Sequence, residues 1–585
     1  YPQTSFGQMT YNYTYDTTLN KYLIEVKDAF GYKSSSTYDY NFDVVLNTTD
    51  RANNVINYQY DNIGRLTKII APKEAYNSDP YTISFQYMPT YSQAQVNGYG
   101  SFVTQNNFIP FAVTKHYDTQ HPTDPIETIN FIDGLGKNIQ VKKDIELNTG
   151  SSSSPTLVEA LTISGKTKFD AYARTIESFQ PWWEDKTPAT QFLINEYAVT
   201  ESSKVEYDEL DRAIKSIDEE GNESTVQFSI GTDISGINCH KTKTDVDQNG
   251  NQHLITETFV DANGRTVSTK NVGGTTGSIW TKFNYNAIGE LMSYTDAENL
   301  TTIYEYDMFG RKLSVKHPDS GKTIYKYDNV NLVAIQTQNL IGTSNQISYL
   351  YDHNRLKEVL FPPMPTGANI SNVMYQYGNS GNETGRLIFV SDATGTQEYK
   401  YGNMGETIEV NRTIVAPNLP TRNFTTNFEY DSFNRVQKLI YPDGEIVSYL
   451  YNRGGNLKQM KSSINGVETD YIKRIDYDYF EQKKYMKYGN NTETFYDYSP
   501  ELRRLQTLNV KAANGQNMFN NSYTYDKVGN LTNVSNNATY NTINYLGGIY
   551  NSNFTYDNLN RLSKADGDFT GYVVGSVNQD NRKSY

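Results

Sequence analysis

The sequence predicts an all-β fold, a spiral of short β-hairpins wound into a large hollow shell or barrel. Two observations predict it: a tyrosine–aspartate (Tyr-Asp) unit returns about every 21 to 24 residues, and each period contains two turn signals. At least about fifteen periods would give about thirty strands, whereas open twisted sheets rarely exceed about ten without curling or splitting. An array of this length must therefore wind on itself.

The composition supports strands with wet surfaces. Only 37% of the 585 residues are hydrophobic, yet the chain contains 50 Tyr and 25 Phe, which argues against disorder. A tyrosine ring can ladder across neighbouring strands while its hydroxyl stays hydrated. A shell with water on both faces therefore explains the modest apolar content.

Charge and cysteine usage exclude several classes. The net charge of −14 is spread without a basic block, so we expect no nucleic-acid partner. The single cysteine, Cys239, excludes an intrachain disulfide framework. No apolar run approaches the roughly 18 residues that span a bilayer, so we expect no membrane insertion by this segment. The N-terminus lacks a signal-peptide pattern, and we expect the chain to begin after processing or within a longer protein.

The repeat unit reads Tyr-x-Tyr-Asp-x-x-Gly-Arg-Leu. Its two aromatic residues face the same side of a strand, and its Asp accepts backbone N–H groups where the strand turns. Gly or Asn three residues later takes the positive φ of the turn, and Arg and Leu begin the return strand. The predicted structural residues in the clearest copies are Tyr60, Asp61, Gly64, Arg65, Tyr306, Asp307, Gly310, Arg311, Tyr430, Asp431, Arg435, Tyr556, Asp557 and Arg561.

The period makes each repeat one β-hairpin. Tyr285, Tyr306 and Tyr327 follow each other at intervals of 21 residues, and Pro442-Asp443-Gly444 is an example of the second turn signal half a period on. A propeller blade would need about 40 residues. The repeat arginines are predicted to pair with the repeat aspartates or to cover neighbouring tyrosine rings, which are both structural roles.

The array is uneven along the chain. Residues 1–70 carry three repeats, 71–200 carry degenerate repeats with long loops, and 201–585 carry regular repeats. We interpret 71–200 as part of the same sheet and not as a separate domain. The array breaks off in repeat-like sequence, which predicts truncation at the C-terminus.

Asp245, Asp247 and Asn249 are the only metal-ligand candidates that the sequence offers. They resemble the opening of a calcium-binding loop, but the twelfth position is Thr256 where a glutamate is needed. A hairpin turn made by Asn-Gly explains the same residues, and we favour it. The sequence therefore predicts no metal site, no cofactor and no catalytic residue.

Two further candidates have both a structural and a functional interpretation. Cys239 and His240 are neighbours, but on a strand they point to opposite faces, which argues against a dyad. Trp182 and Trp183 are candidates for sugar or partner binding, and a packed corner under the long loops is the alternative. Acidic residues are plentiful, so a pair that acts on a glycosidic bond stays a third hypothesis, although most of them are explained as turn formers.

The copies at 58–66 and 304–313 resemble the RHS/YD-repeat family, which includes bacterial RHS toxins, the cocoon-forming subunits of ABC-type toxins and the teneurins. The resemblance implies a hollow β-shell without catalytic activity. It also implies a partner in the form of its own C-terminal effector, secretion-system or surface partner proteins, and a secreted or cell-surface location in a bacterium. The core-associated and self-cleavage motifs that usually end bacterial RHS shells are not found in the sequence, so encapsulation is expected from the fold alone. The alternative is a surface adhesion scaffold that binds carbohydrate or protein.

Overall fold

The computed structural model consists almost entirely of antiparallel β-sheet. Its described residues are 9–97, 105, 108–194, 201–250, 252–272, 277–363, 372–541, 547–557, 559–570, 573–574, 577–578 and 583–584. They form a 12-stranded sheet, a 33-stranded sheet and a two-stranded ribbon. The predicted all-β fold is confirmed. The strands outnumber the expected thirty because degenerate periods also fold as hairpins.

The described residues of the first third of the chain form fourteen strands and three short helices. The strands are β1 (Tyr11–Tyr15), β2 (Leu23–Asp28), β3 (Lys33–Asp39), β4 (Val44–Thr49), β5 (Val55–Tyr60), β6 (Leu66–Ile70), β7 (Ile83–Met88), β8 (Phe111–His116), β9 (Ile126–Ile132), β10 (Asn138–Asn148), β11 (Leu157–Ser164), β12 (Thr167–Phe169), β13 (Thr175–Phe179) and β14 (Trp182–Asp185). The helices are α1 (Pro72–Asn77), α2 (Tyr91–Val96) and α3 (Pro188–Gln191).

The remaining strands follow one another as hairpins. Up to residue 363 they are β15 (Ser202–Tyr207), β16 (Ala213–Ile217), β17 (Glu223–Thr232), β18 (Asn238–Asp247), β19 (His253–Val260), β20 (Thr266–Val272), β21 (Ser278–Tyr285), β22 (Leu291–Thr295), β23 (Thr301–Tyr306), β24 (Lys312–His317), β25 (Gly321–Tyr327), β26 (Leu332–Gln336), β27 (Ile347–Asp352) and β28 (Arg355–Leu360). Beyond it they are β29 (Val373–Tyr377), β30 (Leu387–Asp392), β31 (Gly395–Tyr401), β32 (Thr407–Ile414), β33 (Arg422–Tyr430), β34 (Val436–Ile440), β35 (Ile446–Tyr451), β36 (Leu457–Ile464), β37 (Val467–Tyr477), β38 (Lys483–Tyr488), β39 (Glu493–Tyr498), β40 (Leu505–Lys511), β41 (Asn517–Tyr525), β42 (Leu531–Asn536), β43 (Ile549–Tyr556), β44 (Leu562–Thr570), β45 (Val573–Val574), β46 (Val577–Asn578) and β47 (Lys583–Ser584).

Each strand pairs mainly with its neighbours in the sequence, so both long sheets are meanders. The order is interrupted where β11 pairs with β14 and β13 pairs with β15, so the chain leaves the first sheet, returns once and then stays in the second as far as β44. The segment 71–200 therefore contributes strands to both sheets. The division of the chain at residues 70 and 200 stays a prediction.

The Tyr-Asp turn is held by the side chain of its own aspartate. In the turn after β23, Asp307 Oδ1 accepts hydrogen bonds from the backbone N–H groups of Phe309 and Arg311, both at 2.9 Å. Gly310 donates its N–H to the carbonyl oxygen of Asp307 and has a φ of 76°, a conformation that favours glycine. The carboxylate thus fixes the reversal of the chain.

The second tyrosine of the repeat joins one hairpin to the preceding one. The hydroxyl of Tyr306 donates to the carbonyl oxygen of Leu291 at 2.9 Å. The same bond, at 2.6–3.0 Å, is made by Tyr38, Tyr60, Tyr87, Tyr207, Tyr285, Tyr377, Tyr401, Tyr451, Tyr477, Tyr498, Tyr525 and Tyr556. Each of these hydroxyls thus donates to a carbonyl group of the neighbouring return strand, a bond that the composition did not predict.

The repeat arginine makes a second link between hairpins, which we call the clasp. Arg311 Nε donates to Asp307 Oδ2 at 2.6 Å, and its Nη1 donates to the carbonyl oxygen of Asp328 in the next Tyr-Asp turn at 3.1 Å. Its guanidinium carbon lies 4.5 Å from the centre of the Tyr327 ring. The clasp thus comprises the repeat Asp, the repeat Arg, and a carbonyl group and a tyrosine ring of the next repeat. It recurs at Arg174, Arg265 and Arg435.

The two long sheets form what we call the wall, and over most of its length the wall is a single sheet thick. The accessible surface is 33,026 Å², whereas a compact protein of 66.6 kDa would expose about 21,000 Å². The excess is expected for a shell that exposes both faces of its sheet. The wall is thicker over β7–β9, where Met88, Phe111 and Phe131 are buried under Ala94 of α2 and Phe192, which follows α3.

We expect Tyr306→Phe to destabilise the protein by about 1 kcal/mol, the net value of one buried hydrogen bond. The substitution removes only the hydroxyl that bonds the carbonyl group of Leu291. Denaturant unfolding followed by near-UV circular dichroism measures the effect. The matched control is Tyr15→Phe on the exposed edge strand β1, which should change the stability little. Equal effects of both substitutions would contradict a role for the hydroxyl.

We expect acid to weaken the turns. Partial burial opposes ionisation of Asp307, but the N–H and guanidinium groups of Arg311 outweigh it and hold the pKa of the carboxyl below its usual range. At Asp16, backbone N–H groups outweigh burial and lower the pKa to about 2. The stability from these carboxylates should be complete above about pH 3.9, the pKa of an unfolded aspartate, and should be lost as the pH falls through the depressed values.

Acid titration followed by circular dichroism tests this pH dependence. The Asp307→Asn variant should lose less stability between neutral pH and acid than the wild type, because it lacks one titrating clasp. Asp319→Asn, at a highly exposed position, should keep the wild-type profile. A wild-type acid profile for Asp307→Asn would show that this carboxylate does not contribute.

Candidate functional site

Turns far apart in the sequence meet along one line, which we call the seam. On one side are the far turns, at the strand ends opposite the Tyr-Asp turns, between β2 and β19. On the other side are the turns between β27 and β44 that follow the second repeat tyrosine; we call them Tyr-Asp turns even where Asn or Gly replaces the Asp. The Tyr32 hydroxyl donates to the carbonyl oxygen of Gly378 at 3.0 Å, across 346 residues. Gln248 Nε2 donates to Asp526 Oδ2 at 3.1 Å, across 278 residues. The seam therefore joins one winding of the spiral to the next.

Gln120 makes a side-chain bridge to the backbone of the neighbouring winding. Its Nε2 donates to the carbonyl oxygen of Tyr449 at 2.9 Å, and its Oε1 accepts from the N–H of Tyr451 at 2.8 Å. Both polar groups of the amide are thus used on β35. A side chain here replaces the backbone hydrogen bonds of a neighbouring strand.

The repeat arginine Arg435 extends its clasp across the seam. Its Nε binds Asp431 Oδ2 at 2.6 Å, its Nη1 binds the carbonyl oxygen of Gly455 at 2.9 Å, and its Nη2 lies 3.4 Å from Asp118 Oδ1 in the other winding. The side chain of Asp118 is fully buried. One guanidinium group therefore connects three turns.

The predicted metal-ligand residues take part in the seam as a turn. Asp247 Oδ1 accepts the N–H of Gly250, and its Oδ2 lies 2.5 Å from Lys527 Nζ in the other winding. Asp245 instead binds His253 Nδ1 at 2.8 Å, and Asn249 Oδ1 accepts from the N–H of Gln252. In the part of the chain that the structure describes, no three His, Cys, Asp or Glu side chains converge as metal ligands.

Charged pairs add further contacts along the seam. Lys143 lies 2.6 Å from Glu481, Lys458 lies 2.9 Å from Glu146, and each pair joins the two windings. Exposed ion pairs contribute about 0–1 kcal/mol each, so the strength of the seam comes from their number and from the hydrogen bonds between them.

Close backbone approach occurs at Gly454. A Cβ atom there would stand 2.9 Å from the Cα of Ile145 and 3.0 Å from the carbonyl oxygen of Asp144, both in β10 of the other winding. Backbone atoms cannot move aside as a flexible side chain can. Glycine at this position therefore allows the Tyr-Asp turn after β35 to lie directly on β10.

The other sequence candidates are part of the wall. Cys239 is buried and His240 is exposed, on opposite faces of β18, and burial raises the pKa of the Cys239 thiol. Trp182 is buried on β14, while Trp183 is half-buried against the core around Ile145. The packed-corner interpretation thus describes the tryptophan pair.

One group of acidic residues lies close together, on the sheet face that α3 covers. Lys186 Nζ lies 2.9 Å from Asp144 and 3.6 Å from Glu127. Burial raises the pKa of Asp144 to about 6. Next to them the fully buried Lys142 binds Glu184 at 2.5 Å and the carbonyl oxygen of Leu193 at 2.6 Å, which fastens the segment after α3 to the sheet. These carboxylates pair with the buried Lys142 and the half-buried Lys186 and hold the covering segment.

The residues of the seam were missed by sequence reasoning. Gln120, Gln248 and Gly454 belong to no recurring pattern, and their partners lie hundreds of residues away. The repeat unit predicts where a Tyr-Asp turn lies, but it does not say which distant turn meets it. The sequence offered one signal for the seam: Tyr-Asp turns and far turns alternate along the chain, which places them at opposite edges of the sheet.

Comparison with known proteins identifies the repeat and the fold. The family profile described as RHS Repeat matches residues 285–322. No curated protein matches the chain significantly. None of the helices in the described residues is long and apolar enough to cross a membrane.

Solved structures of toxin complexes share the fold. TcdB2-TccC3 without its hypervariable C-terminal region superimposes with a TM-score of 0.79 at 17% identity, covering 99% of this chain and 33% of that one. The Tc holotoxin pore of Photorhabdus luminescens gives 0.77 at 17% identity, covering 96% and 32%. TcdB2-TccC3 gives 0.77 at 18% identity, covering 96% and 30%. The chain spans about a third of the length of these structures.

We expect Gly454→Val to open the seam locally, because the new side chain collides with the backbone of β10. Hydrogen–deuterium exchange should rise in β10 and in the turn after β35, while the hairpins of β20–β25 keep the wild-type exchange. The matched control is Gly134→Val, because a Cβ at Gly134 meets no atom within 4 Å. Unchanged exchange in β10 of Gly454→Val would contradict the close approach.

Proposed function

This chain is an RHS/YD-repeat protein, and from that premise we propose that it is a non-catalytic wall segment of a shell. The shell encapsulates or presents a C-terminal effector, for toxin delivery and interbacterial competition. Its partners are that effector, which follows in the same polypeptide, and secretion-system or surface proteins. Its place of action is outside the producing bacterium or on its surface.

The seam is the observation that carries this proposal. An adhesion scaffold needs only an exposed sheet surface, so its function would not require contacts between one winding of the sheet and the next. Here the Tyr32, Gln120 and Gln248 side chains each bind the next winding across 278–346 residues. Edge-to-edge closure turns a strip of sheet into a continuous wall, and a continuous wall separates an interior from the surroundings.

The chemistry of the described residues supports a role as a wall. The clustered carboxylates are paired with buried or half-buried lysines, and repeat Asp and Arg residues are used in the clasps. An acidic wall is also a poor surface for nucleic acid.

A surface adhesion scaffold is the alternative function. Its original candidate, the Trp182–Trp183 pair, is buried or half-buried and so offers little ring surface. A different surface favours carbohydrate binding, namely an arginine-lined cleft at the seam. That cleft adds a function to the wall and does not replace encapsulation.

Protease protection of the native gene product tests encapsulation. We expect the region that follows Tyr585 to survive limited proteolysis in the intact particle and to be degraded after denaturation. In the Gly454→Val variant, whose seam is expected to open, this region should be cleaved faster. In Gly134→Val it should stay protected. Mass spectrometry of the surviving fragments measures the result.

Two outcomes would contradict encapsulation. One is a region after Tyr585 that is cleaved equally fast in the wild type and in Gly454→Val. The other is a reading frame that stops just beyond Tyr585, together with particle images of an empty interior.

A further inference from the structure

A cleft of about 600 Å³ opens at the seam between β1–β3 and the Tyr-Asp turns after β27 and β29. Its volume lies within the range of roughly 300–1,000 Å³ that is typical of ligand sites. The charged residues of its walls are four cations and two carboxylates: Lys33, Arg51, Arg355, Arg386, Asp28 and Asp50. The cleft is therefore locally positive in a chain whose net charge is −14.

A shortened repeat takes one arginine out of its clasp. Asp352 and Arg355 are three residues apart, whereas Asp307 and Arg311 are four apart, because the turn lacks the residue that is Gly310 in the regular repeat. Arg355 Nη2 is 3.5 Å from Asp352 Oδ2. Its buried Nε and Nη1 have no hydrogen-bond partner in the described part of the chain.

The released guanidinium group of Arg355 stacks across the seam. Its central carbon lies 3.4 Å from the centre of the Phe30 ring and 4.9 Å from that of the Tyr377 ring. This stacking holds the group in the wall of the cleft. Arg355 keeps the clasp contact with the ring of the next repeat tyrosine, Tyr377, but it lacks the hydrogen bonds of the regular clasp. Within the described residues, its charge is therefore balanced by the long contact with Asp352.

Two more arginines line the cleft: Arg386, which belongs to a lengthened repeat, and Arg51, which belongs to a far turn. The turn from Gly378 to Arg386 contains a 3₁₀ turn, Gly381–Glu383, and brings Arg386 Nη2 to 3.9 Å from Asp50 Oδ2. Arg51 in the other winding approaches so closely that a Cβ at Gly385 would lie 2.6 Å from its Nη1. Arg51 is exposed and forms no ion pair with any described residue. Three arginines from three separate turns thus converge.

An exposed aromatic strip leads out of the cleft along β1. Tyr11 lines the cleft, and Tyr13 and Tyr15 follow on the same face of the strand, with 49%, 57% and 50% of each residue exposed. The ring centres of Tyr11 and Tyr13 are 6.5 Å apart. Exposed rings in a row offer flat faces on which the C–H faces of successive sugar rings can pack.

We propose that this cleft binds an acidic oligosaccharide. Carboxylate or sulfate groups on the sugar contact Arg51, Arg386 and Nη2 of Arg355, since guanidinium groups match planar oxyanions in charge and geometry. The sugar rings pack on Tyr11, Tyr13 and Tyr15. This binding is independent of any cargo, so it stands whether or not the shell encloses an effector.

Calorimetric titration of the intact chain tests the site. The probes are a hyaluronan octasaccharide, a heparin-derived octasaccharide, a neutral chitin-derived oligosaccharide of the same length and a glutamate-rich peptide. We expect an acidic oligosaccharide to bind most tightly and its affinity to fall with added salt. Hyaluronan carries carboxylates alone, whereas heparin carries carboxylates and sulfates. Binding of hyaluronan would therefore show that carboxylates suffice, and binding of heparin alone would show that sulfates are needed.

Three variants assign the contacts. Arg51→Gln should weaken binding about tenfold or more, the value expected for one charge-assisted hydrogen bond. Tyr13→Ala should weaken binding of the acidic oligosaccharide by removing ring packing. Arg422→Gln is the matched control, an exposed arginine at the start of β33 on the opposite edge, and should bind as the wild type does. Both cleft positions are exposed, and thermal unfolding confirms that each variant is folded.

Three results would overturn the proposal. The first is no binding of either acidic oligosaccharide by the wild type. The second is wild-type affinity in both Arg51→Gln and Tyr13→Ala. The third is equal affinity for the glutamate-rich peptide, which would make the cleft an unspecific anion site. None of these results depends on whether a cargo is protected. The binding proposal and the encapsulation proposal can therefore be contradicted separately.

Discussion

The clasp is the interaction on which the wall depends. A sheet that exposes both faces cannot rely on a central core, and the accessible surface of 33,026 Å² shows how little of this protein is interior. Stability must therefore come from contacts between neighbouring hairpins, as in other repeat proteins. Arg311 supplies such a contact by binding its own Asp307, the carbonyl group of Asp328 and the ring of Tyr327. Where the clasp recurs, at Arg174, Arg265 and Arg435, it fixes one hairpin relative to the next in the same way.

A regular edge is also what makes the seam feasible. The Tyr-Asp turns of the second winding must present backbone and side-chain groups at steady intervals if they are to meet the far turns of the first. Arg435 shows the connection directly, because the guanidinium group that clasps Asp431 also reaches Asp118 across the seam. The same side chain thus sets the spacing along the edge and the contact between windings.

The distance between contacting residues decided what the sequence could predict. The all-β shell was predictable because the contacts that build each hairpin lie within one period, so the unit around Tyr306 and Asp307 carries its own fold. The bonds of the tyrosine hydroxyls were not expected, since solvent is an equally good partner on composition alone. The seam was not predictable either, because Gln120 and Tyr449 are 329 residues apart and neither belongs to the motif. The Asp247 turn was identified as a turn, but its ion pair with Lys527 was not foreseen.

Departures from the repeat have a physical meaning in such a wall. A clasped arginine has its polar atoms occupied, as Arg435 does, and offers little to a ligand. The turn at Asp352 is one residue shorter and lacks the hydrogen bonds of the clasp, and Arg355 stacks on Phe30 in the neighbouring winding. The irregular copy thus leaves the Nε and Nη1 atoms of Arg355 without the hydrogen bonds that a regular clasp supplies. The same unit therefore builds the wall and, at its altered copies, lines the cleft that we propose as a binding surface.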